Sequence, residues 1–252
     1  MNRMKNKVVI VTGGAQGIGA AYARALAAEG ADVAIADVLD GSAVAAEIEA
    51  DGQRALYIKT DVTDEAQARA MADTVKERFG RIDVLVNNAA IYASLRMRPF
   101  DEIDLDEWDK VMAVNVRGPF VCARAVAPVM KAQNYGRIIN ISSGTPFKGT
   151  PGLLHYVTSK GAILTLTRGL ARELGEFGIA VNTLAPGLVL SEGVIANEAM
   201  RDTLTAPVLA SRAIKRDQMP DDLIGPLLFL ASDDSAFMTG ETVVVDGGSV
   251  MH

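Results

Sequence analysis

A tyrosine and a lysine stand four positions apart in the segment from Tyr156 to Lys160, and Ser143 lies thirteen positions before the tyrosine. Residues four apart share one face of a helix, so the lysine ammonium would lie beside the phenol. A free phenol has a pKa of about 10 and is a poor base at neutral pH. A neighbouring ammonium lowers that pKa, so the pair could exchange a proton with an alcohol or ketone oxygen that Ser143 holds by a hydrogen bond.

Asn115 is a further candidate for this chemistry, because it falls inside a predicted helix, where asparagine has a low propensity. Its amide could bind a water molecule that links Lys160 to solvent, or it could bond the backbone of its own helix. The alternatives for the other residues are a Tyr–Lys pair on a helix surface and a serine that caps a turn. A glycine-rich segment near the start of the chain favours the catalytic interpretation of all four.

That segment reads Thr12-Gly13-Gly14-Ala15-Gln16-Gly17-Ile18-Gly19, and it joins a Val- and Ile-rich strand to a helix that opens at Gly17. Glycines permit a tight turn and let backbone N–H groups approach a pyrophosphate at a helix N-terminus. A purely structural turn is the alternative, but the strand–turn–helix context favours a dinucleotide site. The expected cofactor contacts of the turn are Gly13, Gln16, Gly17, Ile18 and Gly19.

Asp37 ends the second predicted strand, eighteen positions after Gly19. A carboxylate there can accept hydrogen bonds from an adenosine ribose diol, and it repels a 2′-phosphate. No neighbouring cation is placed to hold that phosphate, so the sequence predicts NAD rather than NADP. Capping of a turn is the other interpretation of Asp37, and the two roles are compatible.

Two more segments follow predicted strands at the same edge of the sheet. Asp61 and Val62 come after the third strand, where the adenine would lie. Asn88 and Ala89 come after the fourth, where small residues would let the chain run close under the nicotinamide ribose. Either segment by itself could be ordinary turn chemistry.

Seven short apolar runs alternate with helical patterns, which predicts a doubly wound, Rossmann-like α/β fold: a parallel seven-stranded sheet with helices on both faces. The predicted strands are 7–12, 32–36, 55–60, 82–87, 137–142, 179–184 and 242–246. The predicted helices are 17–29, 42–50, 64–79, 105–130, 156–174 and 221–231. We expect one domain, residues 1–252. Residues 187–218 lack a strand signal and follow the sixth strand, so they are predicted to form a substrate lid, with a plain surface excursion as the alternative.

The composition and net charge of the chain limit the classes of ligand and partner that it is expected to bind. The formal net charge is -6 and the pI about 5.0, without a stripe of Lys and Arg, so neither nucleic acid nor a membrane surface is an expected partner. The single cysteine, Cys122, can form no internal disulfide and suits a buried position in a reducing compartment. No apolar run is long enough to cross a bilayer, and two histidines cannot make a His-based metal cluster. We expect a cytoplasmic protein without a metal.

Six motifs follow one another along the chain: Thr12-Gly13…Gly17-Ile18-Gly19, Asn87-Asn88-Ala89-Ala90, Asn115, Ser143, Tyr156-x-x-x-Lys160 and Asn182-x-x-x-Pro186-Gly187. In this order they resemble the short-chain dehydrogenase/reductase family over essentially the full length of the chain. The resemblance implies a catalytic tetrad of Asn115, Ser143, Tyr156 and Lys160. In it Tyr156 is the acid or base, and Lys160 also holds the nicotinamide ribose.

The resemblance also implies that the nicotinamide carboxamide lies beside the segment that opens with Pro186 and Gly187, with Val189 as a contact. The usual Thr of that segment is replaced here by Leu190-Ser191, and Ser191 is expected to take its place. Members of the family commonly form tetramers through the helices that hold Asn115 and Tyr156, so a homotetramer is expected.

The predicted substrate wall is mostly apolar and indicates an uncharged secondary alcohol or ketone, aromatic or alicyclic. Its residues are Tyr92, Leu95, Thr145, Leu153, His155, Leu188 and Leu190. The C-terminal segment and Ile91-Tyr92 are similar to those of aryl secondary-alcohol dehydrogenases within the family. The alternatives are a 3-oxoacyl-carrier-protein reductase of the same fold, against which Asp37 and the acidic balance count, and a non-catalytic dinucleotide-binding protein.

Overall fold

The computed structural model describes residues 2–251 and contains a seven-stranded sheet in which all neighbouring strands are parallel. The strands are β1 Val8–Thr12, β2 Asp32–Asp37, β3 Ala55–Lys59, β4 Val84–Asn87, β5 Gly136–Ile141, β6 Ile179–Pro186 and β7 Thr242–Val245. Their order across the sheet is β3-β2-β1-β4-β5-β6-β7. The doubly wound fold predicted from the sequence is confirmed.

Helices cover both faces of this sheet. They are α1 Gly17–Ala28, α2 Ser42–Ala50, α3 Glu65–Phe79, α4 Leu105–Met112, α5 Gly118–Gln133, α6 Thr145–Lys148, α7 Leu154–Leu174, α8 Glu192–Ala196, α9 Glu198–Ser211 and α10 Ile224–Ala231. Successive strand side chains point to opposite faces, so each strand feeds two cores. Val9 and Val11 of β1 pack with α1, α2 and α10, whereas Val8 and Ile10 pack with α3, α5 and α7. Burial on both faces explains the nearly continuous apolar strands.

The predicted helix 105–130 is helical but contains a wider turn. A π turn, Ala113–Arg117, separates α4 from α5, and α5 continues to Gln133. Pro119 in the first turn of α5 has no N–H, so it cannot donate to the carbonyl of Asn115, its normal α-helical partner. The helix therefore widens next to Asn115, as helices commonly do at functional sites.

Strand order changes direction beside β1, which pairs with β2 on one side and β4 on the other. Crevices at the carboxyl ends of strands at such a point are where ligands bind in this architecture. The turns after β1, β2 and β4 meet there, and so do Ser143 after β5 and Gly187 after β6.

Residues 187–218 include α8 and α9, and their two ends are tied together. Val189 and Gln218 form a parallel bridge, and the Arg212 guanidinium donates a 2.6 Å hydrogen bond to the Leu188 carbonyl. Among residues 2–251, no helix combines the length and the apolar composition that crossing a bilayer requires.

Candidate active site

The glycine-rich turn after β1 leaves no room for a side chain at two of its positions. Gly13 has a φ of +64°, and a Cβ there would lie 2.7 Å from the Cα of Ala89. A Cβ on Gly19 would lie 2.0 Å from the Gly13 carbonyl oxygen. Both approaches require glycine, and they leave the amino end of α1 open to a ligand.

Asn88 and Thr12 fix this turn by bonding main-chain groups. The Asn88 amide donates to the carbonyls of Thr12 and Gly13, at 3.0 Å each. The Thr12 hydroxyl accepts from the N–H groups of Asn88 and Ala89, at 3.1 Å each. Asn88 thus acts through its side chain on the turn, and its amide protons are committed to the protein.

An open cleft of about 520 Å³ begins at this turn and is called here the glycine-loop cleft. All ten contacts predicted in its vicinity line it: Gly13, Gln16, Gly17, Ile18, Gly19, Asp37, Asp61, Val62, Asn88 and Ala89. Thr60, Lys110 and Val114 also line it and were not predicted. Val114 and Lys110 come from α4 and the π turn, whose approach to this cleft has no local sequence signal.

The Asp37 carboxylate is buried at the end of β2. Its two oxygens each accept one backbone N–H, from Ala15 and from Leu39, at 3.0 Å. A carboxylate has about four lone-pair sites, so it can still accept from a ribose diol. The surroundings are negative: burial, and then the charges of Asp40 and Asp37, raise the pKa of Tyr57. The turn-capping role of Asp37 is present, and it leaves the second role available.

A smaller cavity of about 160 Å³ adjoins the cleft and is called here the Tyr156 cavity. The two share five lining residues, Ile18, Asn88, Ala90, Tyr92 and Ser191. The Tyr156 cavity is also lined by Ser143, Tyr156, Lys160, Pro186, Gly187 and Val189, so the structure brings those predicted residues together. A dinucleotide lying in the cleft would thus end where Tyr156 stands.

Four of the predicted wall residues line this cavity: Tyr92, Thr145, Leu153 and Leu188. Leu95 does not; it is buried behind the wall, in a cluster with Val111, Leu153 and Tyr156.

His155 and Leu190 were also wrongly placed in the wall. His155 is fully buried, and its Nε2 lies 3.0 Å from Oε1 of Glu107 on α4, because it occupies the opposite side of α7 from the cavity. The backbone N–H of Leu190 donates to the Gln218 carbonyl in the base of the insertion, and its side chain lies outside the lining.

Several wall residues were not identified individually from the sequence, although three of them lie within the predicted lid, residues 187–218. Val194 of α8 and Leu204 and Val208 of α9 line the cavity, as do Lys148 and Thr150. Leu204 and Val208 are four apart on one face of a helix, and this spacing could have identified them. Lys148 ends the short helix α6, which the sequence did not reveal.

The side chains predicted to be catalytic are held from several sides. The Ser142 hydroxyl donates to the Lys160 carbonyl at 2.7 Å, and the Lys160 ammonium donates to the Ile141 carbonyl at 2.8 Å. These bonds tie α7 to the end of β5. The ring of Tyr156 packs on that of Tyr92 with centroids 4.6 Å apart.

The expected lowering of the phenol pKa by lysine is not found in this structure. Burial raises the pKa of Tyr156, the Tyr92 charge adds to this, and the hydrogen bond with Ser143 opposes it. Burial also lowers the pKa of Lys160 to about 8. The Lys160 ammonium lies 5.7 Å from the Tyr156 ring centroid and is bonded to Ile141, so its effect on the phenol is small. Tyr156 is therefore a protonated acid at neutral pH.

The Asn115 side chain has partners that the sequence did not reveal. Its amide donates to the Ile91 carbonyl and to the Ser159 hydroxyl, each at 3.1 Å, and its oxygen accepts from the Ile91 N–H at 2.8 Å. These bonds join the segment after β4 to α7, and they commit both amide protons. A water molecule could still donate to the amide oxygen, which has a second lone pair. The side chain does not bond its own helix.

The segment after β6 is positioned by main-chain bonds. The Pro186 carbonyl accepts from the Gly144 N–H at 2.8 Å, and the Gly187 N–H donates to Val245 at 2.9 Å. Ser191 then lines both the cleft and the cavity. Within residues 2–251, no group of three or more His, Cys, Asp or Glu residues is arranged to hold a metal ion.

Comparison with known proteins gives matches along nearly the whole chain. The family model described as enoyl-(acyl carrier protein) reductase matches residues 13–250. A 3-alpha-(or 20-beta)-hydroxysteroid dehydrogenase of Mycobacterium tuberculosis is 42% identical over 250 residues, 98% of this chain and 91% of that protein. The cyclopentanol dehydrogenase of Comamonas testosteroni is 36% identical over 253 residues, 98% of each chain.

Two further matches bear on substrate and cofactor. A 3-oxoacyl-[acyl-carrier-protein] reductase of Synechocystis is 37% identical over 259 residues, 100% of both chains. A solved structure from Beutenbergia cavernae, a candidate NAD(P)-dependent gluconate 5-dehydrogenase with NADP bound at low occupancy, superimposes with a TM-score of 0.89. It is 36% identical and covers 97% of each chain.

Proposed function

The chain belongs to the short-chain dehydrogenase/reductase family of oxidoreductases, and we propose that it transfers a hydride reversibly between NAD(H) and an uncharged secondary alcohol or ketone with one aromatic or alicyclic ring. The observation that carries the proposal is that Tyr156, Ser143 and Lys160 line the same small, mostly apolar cavity, and that this cavity adjoins the glycine-loop cleft.

The chemistry of the chain's own residues follows from their protonation. A bound nicotinamide supplies or accepts the hydride. In ketone reduction the Tyr156 phenol donates its proton to the carbonyl oxygen, and the Ser143 hydroxyl holds that oxygen. The Lys160 ammonium, 5.7 Å from the ring centroid, adds a small stabilisation of the resulting phenolate. In alcohol oxidation the same groups act in reverse, with phenolate as the base.

Cavity volume supports a compact substrate. A dry cavity of about 150 Å³ holds one benzene ring. The Tyr156 cavity, at about 160 Å³, is of that size. One-ring ketones such as cyclohexanone or acetophenone therefore suit it better than the four fused rings of a steroid.

The choice of NAD rests on Asp37. Its buried carboxylate lines the cleft with Asp61, and it would repel a 2′-phosphate. We expect Asp37→Ser to raise the ratio of NADPH to NADH activity about tenfold or more, since one removed repulsion is worth at least about 1.4 kcal/mol. Asp51→Ser, an exposed carboxylate at the end of α2, is the matched control and should leave the ratio unchanged.

The test of the proposal is a matrix of initial rates: NADH or NADPH, each with cyclohexanone, acetophenone and an acetoacetyl thioester. Turnover with NADH and a one-ring ketone is the expected result. The Synechocystis relative favours a second candidate, reduction of a 3-oxoacyl thioester. Turnover chiefly with NADPH and the thioester would replace the first proposal by the second.

We also propose a homotetramer. Phe120 of α5 is 45% exposed and borders a surface groove with Met112, Val116 and Leu166. Exposed apolar surface of this kind is typical of protein interfaces. Light scattering should give four chains for the wild type and fewer for Phe120→Asp; an unchanged mass for the variant would exclude this surface as an interface.

A further inference from the structure

Lys148 brings a positive charge to a cavity whose other walls are largely apolar. It ends α6, five residues after Ser143, and it lines the Tyr156 cavity together with Thr145 and Thr150. Leu153, Leu204 and Val208 contribute apolar side chains to the same lining. The cavity therefore receives polar groups from α6 and the residue that follows it closely, and apolar groups from α9 and Leu153.

The ammonium of Lys148 lies where the lid ends. It is bonded to the hydroxyls of Ser211, the last residue of α9, and of Ser249 near the C-terminus. An ammonium has three protons to donate, so these bonds leave one for another acceptor. Burial lowers the pKa of Lys148; the charge of Asp246 opposes this shift and that of Arg212 adds to it. Lys148 and Arg212 are positive and Asp246 is negative, so positive charge is in excess around the Lys148 ammonium.

Thr145 adds a second unmet hydrogen-bonding group. Its hydroxyl oxygen is buried and has no hydrogen-bond partner in the structure, although the residue lines the cavity. A buried hydroxyl without a partner costs free energy, so such groups in a cavity wall call for a ligand or an ordered water. Thr145 and Lys148 lie three positions apart on α6, and both line the cavity.

We propose that Thr145 and Lys148 form an oxygen-binding subsite and that the natural substrate carries, besides its reacting carbonyl or hydroxyl, a second hydrogen-bond-accepting oxygen. The acceptor is a carbonyl or a carboxylate on the part of the ring that faces α6. The inference rests on the proposed function for the identity of the reacting group, and it deepens that function by naming the class of substrate. Because Ser143 and Lys148 lie at the two ends of one short segment, a one-ring substrate can contact both.

The test compares three ketones with the same ring: cyclohexanone, cyclohexane-1,4-dione and 4-oxocyclohexanecarboxylate. We expect kcat/KM for at least one of the two oxygen-bearing ketones to exceed that for cyclohexanone by about tenfold to a hundredfold, as for a hydrogen bond from a charged donor. A preference for the dione identifies a neutral acceptor. A preference for the carboxylate keeps the subsite but replaces an uncharged substrate by an anionic one. Equal values for all three ketones would overturn the inference.

Variants separate a direct contact from support of the lid. Lys148→Met and Thr145→Val should each remove most of the preference for the second oxygen, and Lys148→Arg should restore it. Lys5→Met is the matched control, because Lys5 is exposed in the N-terminal turn and outside the cavity lining. If Lys148→Met instead lowers kcat/KM equally for all three ketones, and Ser249→Ala has the same effect, Lys148 serves only to hold the segment 187–218, and the inference fails.

A binding measurement separates failure of the inference from failure of the proposed function. Dissociation constants of the three ketones are measured with the Tyr156→Phe variant saturated with NADH, in which proton transfer is blocked. Preferential binding of an oxygen-bearing ketone that Lys148→Met abolishes supports the subsite even if the wild type reduces none of the three. Absence of both turnover and preferential binding would overturn both proposals.

Discussion

The glycine-loop cleft and the Tyr156 cavity adjoin one another but are built in different ways. In the cleft, the side chains of Thr12, Asn88 and Asp37 bond main-chain groups and so fix the backbone that meets the ligand. In the cavity, the wall consists of side chains such as Leu153 and Leu204, which come from distant segments. Backbone geometry tolerates few substitutions, whereas wall side chains can be exchanged for others of similar volume. Substitutions in the turn should therefore impair dinucleotide binding as a whole, whereas substitutions in the wall should change which substrate is preferred.

The largest effect is expected from Tyr156→Phe, which removes the proton donor and keeps the ring. Catalysis by a positioned acid contributes about 10² to 10⁴ in rate, so kcat for ketone reduction should fall by about a hundredfold to ten-thousandfold. The dissociation constant for NADH, measured by fluorescence titration, should change little because the cleft is untouched. Activity close to that of the wild type would exclude Tyr156 as the acid.

Gly19→Ala tests the glycine-loop cleft. The added Cβ would lie 2.0 Å from the Gly13 carbonyl, so the turn must shift. We expect the dissociation constant for NADH to rise by about a hundredfold, because the N–H groups of the turn lose their alignment with the pyrophosphate. Gly169→Ala on α7 is the control, since its Cβ would meet no neighbour within 4 Å. If the Gly19→Ala variant has normal NADH affinity and a normal melting temperature, the exact backbone position of the turn after β1 does not determine dinucleotide binding.

Leu204→Ala enlarges the cavity on the side formed by α9. KM for cyclohexanone should rise by about three- to tenfold, as for a lost apolar contact of about 1 kcal/mol, and KM for an ortho-substituted bulkier ketone should fall. The affinity for NADH should stay unchanged, and Leu204→Met, of similar volume, should behave like the wild type. An equal change in NADH affinity would mean that α9 contributes to the glycine-loop cleft as well as to the Tyr156 cavity.

The last effect concerns stability rather than binding or rate, and it arises at Lys160, at the boundary of the two regions. Its pKa of about 8 in the folded protein lies below the value of about 10.4 in an unfolded chain. Between these values the unfolded chain binds more protons, so stability contributed at this site rises with pH. From pH 7.5 to 9.5, the free energy of unfolding should rise by about 1–2 kcal/mol more for the wild type than for Lys160→Met, measured by urea titration. Parallel pH profiles would show that Lys160 is not desolvated.

The same comparison explains what sequence reasoning could and could not predict. Strand positions and the cleft followed from patterns that stereochemistry dictates, such as the glycines of the turn and the apolar parallel strands. The wall of the cavity depends on which way each side chain points. His155, beside Tyr156 in sequence, turns to Glu107, whereas Lys148 and Leu204 reach the cavity from elements that only the folded chain brings near.

The direction of the pKa shifts of Tyr156 and Lys160 also could not be predicted from the sequence. The spacing of Tyr156 and Lys160 is right for a shared helix face, but the depth of burial sets the direction of both pKa shifts, and burial is a property of the whole fold. Asn115 was identified as an unusual helix residue, yet its partners Ile91 and Ser159 lie far away in the sequence, so its bonds could not be deduced from spacing.

The hydrogen bonds from Asn88 to the turn after β1 join residues 75 and 76 positions apart, and β1 itself pairs with β4 over a similar separation. Contacts so distant along the chain form slowly during folding, because the intervening segment must first lose conformational entropy. An intermediate in which β4 has not yet joined β1 has no clamp on the turn. The dinucleotide can therefore bind and stabilise the sheet once β4 has joined β1, but it cannot assist the folding steps that come before.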